Sequence, residues 1–275
     1  MKYPWESNSL KNGRYQLGEE SRVDCEICYE AQDTMTNQKV QVRKLDPDMV
    51  HRRGVDLARA KDIYFWYAEK WGRAALECPD TMASVLDRFE ERGTGYLVIK
   101  QPGDFLSWHY DVPVNIGMLM DADAVMQVGS RALEALHRQG LLVLRFDGRN
   151  DIMGEWEGKP RLAFFFAPEQ LSRPVISQRD AWMSSHYAAP EVYLGKPLGP
   201  AADVYAFSAL VYATAVTIPD KSLFRLYGNL GLPNPQDKWR IKREFPALVR
   251  GLSLDPKDRQ QSIRQLRDEY FAQKE

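Results

Sequence analysis

Between residues 204 and 218 the chain carries no charge, and apolar side chains recur at positions all round a helical wheel. Such a stretch has no polar face to offer water, so it predicts a helix enclosed by protein on every side. Asp203 stands where an N-cap belongs, its carboxylate able to accept from the free N–H groups of the first turn, and Pro219 closes the far end. A membrane span needs roughly 20 apolar residues; this stretch is shorter and includes Ser208, Thr214 and Thr217, so no direct membrane insertion is expected. At 275 residues the chain is long enough for one large domain, or two lobes, with a core that can enclose the helix.

Composition narrows the partners. A hydrophobic content of 44% with 27% charged residues describes an ordinary globular protein. With 37 basic against 38 acidic residues, nothing electrostatic favours nucleic acid or an anionic membrane as the main partner. Residues 1–12 are polar, with only Tyr3, Pro4, Trp5 and Leu10 to bury, and read as a tail without the apolar core of a signal peptide. Three cysteines argue against a disulfide framework and for a reducing compartment, so a cytoplasmic protein, or a cytosolic domain of a longer one, is expected. Cys25 and Cys28 have the spacing of half a zinc knuckle, but no second pair follows; both read as strand residues, and no metal is expected.

Upstream of the uncharged stretch lies Ser184-x-x-Tyr187-x-Ala189-Pro190-Glu191, twelve residues before Asp203, and downstream lies Leu254-Asp255-Pro256-x-x-Arg259. In this order the elements resemble the protein kinase family: the A-P-E end of the activation segment, the central helix, and a late motif whose arginine pairs with the A-P-E glutamate. The resemblance implies an α+β, bilobal protein-kinase-like fold. A small N-lobe over 13–101, an antiparallel sheet plus one helix, would follow the 1–12 tail, and a larger, mainly helical C-lobe would cover 102–275. It also implies a buried Glu191–Arg259 ion pair, which from one side would cost roughly 3–5 kcal/mol to break.

The coarse pattern fits that plan. Alternation over 15–45 predicts three antiparallel strands, and 57–76 reads as a helix with Leu57, Ile63, Phe65, Trp66, Trp71 and Leu76 on its apolar face. Two further strands are expected at 82–89 and 94–99, a hinge at 100–104, and a long helix over 121–139 ending at Gly140. Shorter helices are expected at 223–232, 246–251 and 261–270.

At each place where the family performs chemistry, the residues differ. The phosphate-covering loop has only Gly18, followed by Glu19 and Glu20, which would repel a triphosphate. Arg43 aligns with the strand lysine that pairs with phosphate, and Glu69 with the helix glutamate that holds that lysine, so an Arg43–Glu69 pair is expected. After Ala135-Leu-His137-Arg-Gln-Gly140, the ungapped alignment puts Arg145 at the catalytic aspartate and keeps Asn150; a one-residue shift brings Phe146 to the base position instead. Asp147 is the one carboxylate near enough to substitute. Phe164 takes the place of the metal-binding aspartate of D-F-G, and an aromatic ring cannot supply the oxygen ligand Mg²⁺ requires. Ser172, Ser177, Ser184 and Ser185 are the hydroxyls that a phosphorylated activation segment would offer.

The resulting expectation is a pseudokinase with no catalytic residue, no cofactor and no metal, acting through an unidentified protein partner. The segments 64–71, 182–187 and 223–239 are its candidate contact surfaces. Two alternatives stay open. One is a metal-independent nucleotide sensor using Gly18, Arg43 and Lys100, and the other a weak atypical kinase with Asp147 as base.

Overall fold

The computed structural model describes residues 8–23, 25–100, 122–144, 152–156, 159–163, 188–194, 196–216 and 245–274. The chain divides into two compact units, residues 1–105 with 154–173, and residues 106–153 with 174–275.

The first unit is built on one antiparallel sheet in the order β1-β2-β3-β4-β6-β5. Its strands are β1 (Ser9–Leu10), β2 (Tyr15–Val23), β3 (Glu26–Asp33), β4 (Gln38–Leu45), β5 (Val85–Glu91) and β6 (Thr94–Lys100). Alternation assigns the faces. Val40 and Val42 of β4 are buried in one cluster with Leu10, Tyr15, Ala31, Tyr96 and Val98, which leaves Gln41, Arg43 and Leu45 for the other face. The β5–β6 hairpin turns over Arg92 and Gly93, with φ of 50° and 74°. Two positive φ values make the loop whose twist matches the strands, and glycine takes one of them without strain.

Two expectations change here. The tail assigned to residues 1–12 is incorrect from residue 8 onward, because Ser9 and Leu10 form β1 and Leu10 is only 1% exposed. The Lys11 backbone N–H donates to Glu91, its ammonium to Asp87, and Arg92 donates to the Ser9 carbonyl, so side chains tie this end to β5 and its turn. Among the described residues of the unit a short helix precedes the expected one. In α1 (Pro47–Arg52) the Asp46 carboxylate accepts from the Asp48 N–H, and Pro47 starts the first turn, where its missing N–H costs nothing.

The second helix, α2 (Leu57–Glu77), is capped by Asp56 and packs against β5 and β6. Its buried face is Ala60, Tyr64, Tyr67, Ala68, Trp71, Ala74 and Ala75, so of the residues expected there only Trp71 is buried. Trp66 is 41% and Leu76 82% exposed. The sequence offers two apolar arcs, and the sheet receives the one whose alanines let the helix come close.

In the second unit the central helix α5 (Pro200–Val216) is preceded by α3 (Ala122–Arg138) and α4 (Pro190–Tyr193), and followed by α6 (Pro246–Gly251) and α7 (Ile263–Ala272). Helices α3, α6 and α7 all pack on α5, and every residue from Ala202 to Tyr212 is buried. A separate two-stranded sheet pairs β7 (Ile152–Trp156) with β8 (Lys159–Ala163), and from residue 154 onward it belongs to the first unit. Among the described residues no helix is long and apolar enough to cross a membrane.

Candidate functional site

Arg43 is fully buried on β4. Its Nη1 lies 3.6 Å from Glu26 Oε2, its Nε donates to Gln41 Oε1 at 2.7 Å, and its guanidinium stacks over the Trp71 ring at 5.1 Å. The register explains the partner. Cys28 lies directly opposite Arg43 and Glu26 opposite Leu45, so Glu26 reaches Arg43 along the diagonal between adjacent strands. Burial pushes the Cys28 thiol well up from its ordinary range, despite the opposing effect of Arg43, which makes it a structural thiol and not a nucleophile. Cys25, Cys28 and Cys78 are all buried and none forms a disulfide, and among the described residues no three metal-ligating side chains cluster.

The expected Arg43–Glu69 pair is not present. The Glu69 side chain is 40% exposed, accepts from Arg73 at 2.5 Å and lies 3.6 Å from Arg88. Helical geometry gives the reason. Trp71 faces Arg43, and Glu69, two residues earlier, is rotated about 200° away. The residue that sequence reasoning missed is Glu26, whose role depends on strand register and not on a local motif.

Gly18 sits in β2 at the register shift between Leu17 and Glu20, where a methyl group would come 3.1 Å from the Glu30 carbonyl oxygen. Its need for glycine is thus met by the neighbouring strand alone. Lys100 ends β6 opposite Val40, and its N–H donates to the Ser84 carbonyl. Of the proposed contact segment 64–71, Tyr64 and Trp71 are fully buried and cannot anchor a partner. Phe65 and Trp66 instead line an open groove between α2 and β5, with Asp62, Arg88 and Glu90 at its walls.

In the second unit Asp203 is not an N-cap. Helix α5 begins earlier, at Pro200, so Asp203 falls inside its first turn and is fully buried. Its carboxylate accepts from the Val143 N–H at 2.8 Å and the Leu144 N–H at 2.5 Å, and hydrogen-bonds the ring of His137 through Nε2 at 2.8 Å. Leu144 has φ of 64°, a left-handed conformation that a leucine seldom adopts. Asp203 therefore holds the segment that leads into residues 145–151, from a helix nearly sixty residues further along the chain.

The structure brings Glu191 and Arg259 together. Arg259 donates through Nη1 and Nη2 to the two Glu191 carboxylate oxygens at 2.6 and 2.9 Å. Its remaining donors go to the carbonyls of Ser253, Ala201 and Leu254, which uses all five N–H groups of the guanidinium. The Tyr205 ring lies 4.7 Å from the guanidinium carbon. This arrangement anchors α4 to the start of α5 and to the 250s loop; it is architecture, not chemistry.

Arg145, Asp147, Asn150 and Phe164 lie outside the described residues, as do the hinge at 101–104, Pro219, the four activation-segment serines and the segments 182–187 and 223–239.

No protein-family model matches the sequence, and no curated protein matches it. Solved structures do. The kinase domain of PknI from Mycobacterium tuberculosis, in a double-mutant form, superposes with a TM-score of 0.63 at 19% identity, covering 94% of this chain and 95% of that one. A second structure of the PknI kinase domain gives a TM-score of 0.62 at 19% identity, covering 95% and 96%. At that identity the likeness establishes the fold: the chain is α+β and protein-kinase-like.

Proposed function

We propose that this protein-kinase-like chain is a pseudokinase, a kinase-fold module that acts by binding a protein partner and does not transfer phosphate. The observation that carries the reading is the state of Arg43. Phosphoryl transfer is positioning plus charge stabilisation, so the cation at this strand position has to reach a phosphate. Arg43 is instead fully buried and faces Glu26, and drawing it out would take the cation away from a carboxylate that is itself fully buried. The sequence adds to this. A cation or an aromatic ring stands at the base position, Phe164 stands where the metal-holding carboxylate belongs, and Glu19 and Glu20 flank the single glycine of the phosphate-covering loop.

Thermal unfolding of the full chain with millimolar ATP, in Mg²⁺ or in EDTA, tests the reading. A nucleotide at 100 times its dissociation constant adds about 2.7 kcal/mol to stability, which a melting curve resolves. The expected result is no shift in either condition. A Mg²⁺-dependent shift overturns the proposal and makes Asp147 the first residue to mutate, whereas an equal shift in EDTA identifies a metal-independent nucleotide sensor.

A further inference from the structure

In the protein-kinase mechanism a strand lysine and a helix glutamate meet only when the helix is in position, and regulation acts on that helix. Here the helix that packs on the sheet presents no carboxylate to Arg43: the buried face of α2 carries Tyr64, Ala68 and Trp71. The carboxylate comes from the sheet itself. Glu26 faces Arg43 and also accepts a hydrogen bond from the Tyr64 hydroxyl at 2.6 Å. Burial, with Glu26 beside it, keeps that phenol protonated far above its ordinary range, so it remains a donor throughout the working pH range.

Two further observations bear on the same contact. The Trp71 indole N–H donates to the Ala83 carbonyl at 3.0 Å, tying the helix to the segment that leads into β5. Gly95 of β6 lies directly under the helix, where a methyl group would come 3.2 Å from the Phe65 ring and 3.3 Å from the Tyr64 ring. The helix thus lies close over a residue without a side chain, where a methyl group would crowd both rings, and is latched there by a neutral donor.

We infer that α2 is permanently latched to the sheet by the Tyr64–Glu26 hydrogen bond, with the helix seated over Gly95, in place of a helix carboxylate that can be engaged and released. Glu26 and Tyr64 are positioning residues. The latch pulls on the helix from a strand that already neutralises Arg43, so docking needs no ligand and no phosphate group. This holds whether or not the chain transfers phosphate.

Hydrogen exchange of the full chain tests the latch, comparing wild type with Tyr64→Phe, Gly95→Ala and Glu69→Gln. A hydrogen bond to a charged acceptor is strong enough that its loss should speed exchange of the 64–71 amides roughly 10- to 100-fold. Tyr64→Phe keeps the ring and its packing, so exchange in β2–β4 and in the second unit should stay at the wild-type rate. Gly95→Ala should loosen the same helix by pushing on the two rings, and Glu69→Gln should leave it unchanged. The inference is overturned if Tyr64→Phe leaves the 64–71 amides as protected as in wild type. It is equally overturned if Glu69→Gln releases the helix as strongly as Tyr64→Phe does.

Discussion

Removing either partner of the Glu191–Arg259 pair should destabilise the second unit, but by unequal amounts. In Glu191→Gln the guanidinium keeps three backbone carbonyl acceptors and the Tyr205 ring, so its charge is still largely solvated by the protein. The cost is then that of weakening charge-assisted hydrogen bonds, about 2 kcal/mol. In Arg259→Met a carboxylate 4% exposed loses its bidentate partner, and three carbonyls lose their donors at once. That change belongs at the upper end of the range for breaking a buried pair, about 4 kcal/mol. Urea unfolding at pH 7 separates the two, since a difference of about 2 kcal/mol moves the midpoint by roughly 1 M at an m-value near 2 kcal/mol/M. Equal costs, a reversed order, or a loss under about 1 kcal/mol for Arg259→Met would refute the argument that the carbonyl acceptors matter.

Three other outcomes follow from the same structure. The Arg14 hydrogen bond holds the Asp33 carboxyl below its ordinary pKa, so its contribution is present above about pH 4 and is lost as the pH falls through the depressed folded value; acid titration of the first unit should show a shallower limb in Asp33→Asn. Leu10→Ala should cost about 3 kcal/mol in chemical denaturation, since it empties a site in the sheet core, whereas a tail residue would cost nothing. Asp203→Ala should lower stability by about 3 kcal/mol, by stranding the buried Leu144 N–H and the half-buried Val143 N–H, and hydrogen exchange at 143–144 should accelerate with it.

How far the sequence reached depended on whether each signal was local. The uncharged stretch after Asp203 could only be an enclosed helix, and the alternation through β2–β4 could only be sheet, because both periods are written in neighbouring residues. Helix α1 had its signal too, a capping Asp46 followed by Pro47, but six residues are too few for a periodic pattern to show. What was illegible depended on geometry across the chain. Two residues of β1 acquire a role only through β2 and the β5 turn. Which arc of α2 meets the sheet is decided by how closely alanines let it approach, and a rotation of about 200° separates Glu69 from the face that meets Arg43. The Glu26 contact requires the β3–β4 register, and Asp203 looks like a cap until the helix is seen to start at Pro200.

The most direct test of the central claim is transfer of the γ-phosphate itself. The full chain is incubated with Mg²⁺ and γ-labelled ATP, alone and with Ser/Thr- and Tyr-containing peptides, beside Asp147→Ala and a protein-free blank. The account predicts that label incorporated by wild type, on itself or on any peptide, equals that of Asp147→Ala and of the blank. Incorporation above both controls would contradict it, and would show that Asp147 serves as the base of a working transferase.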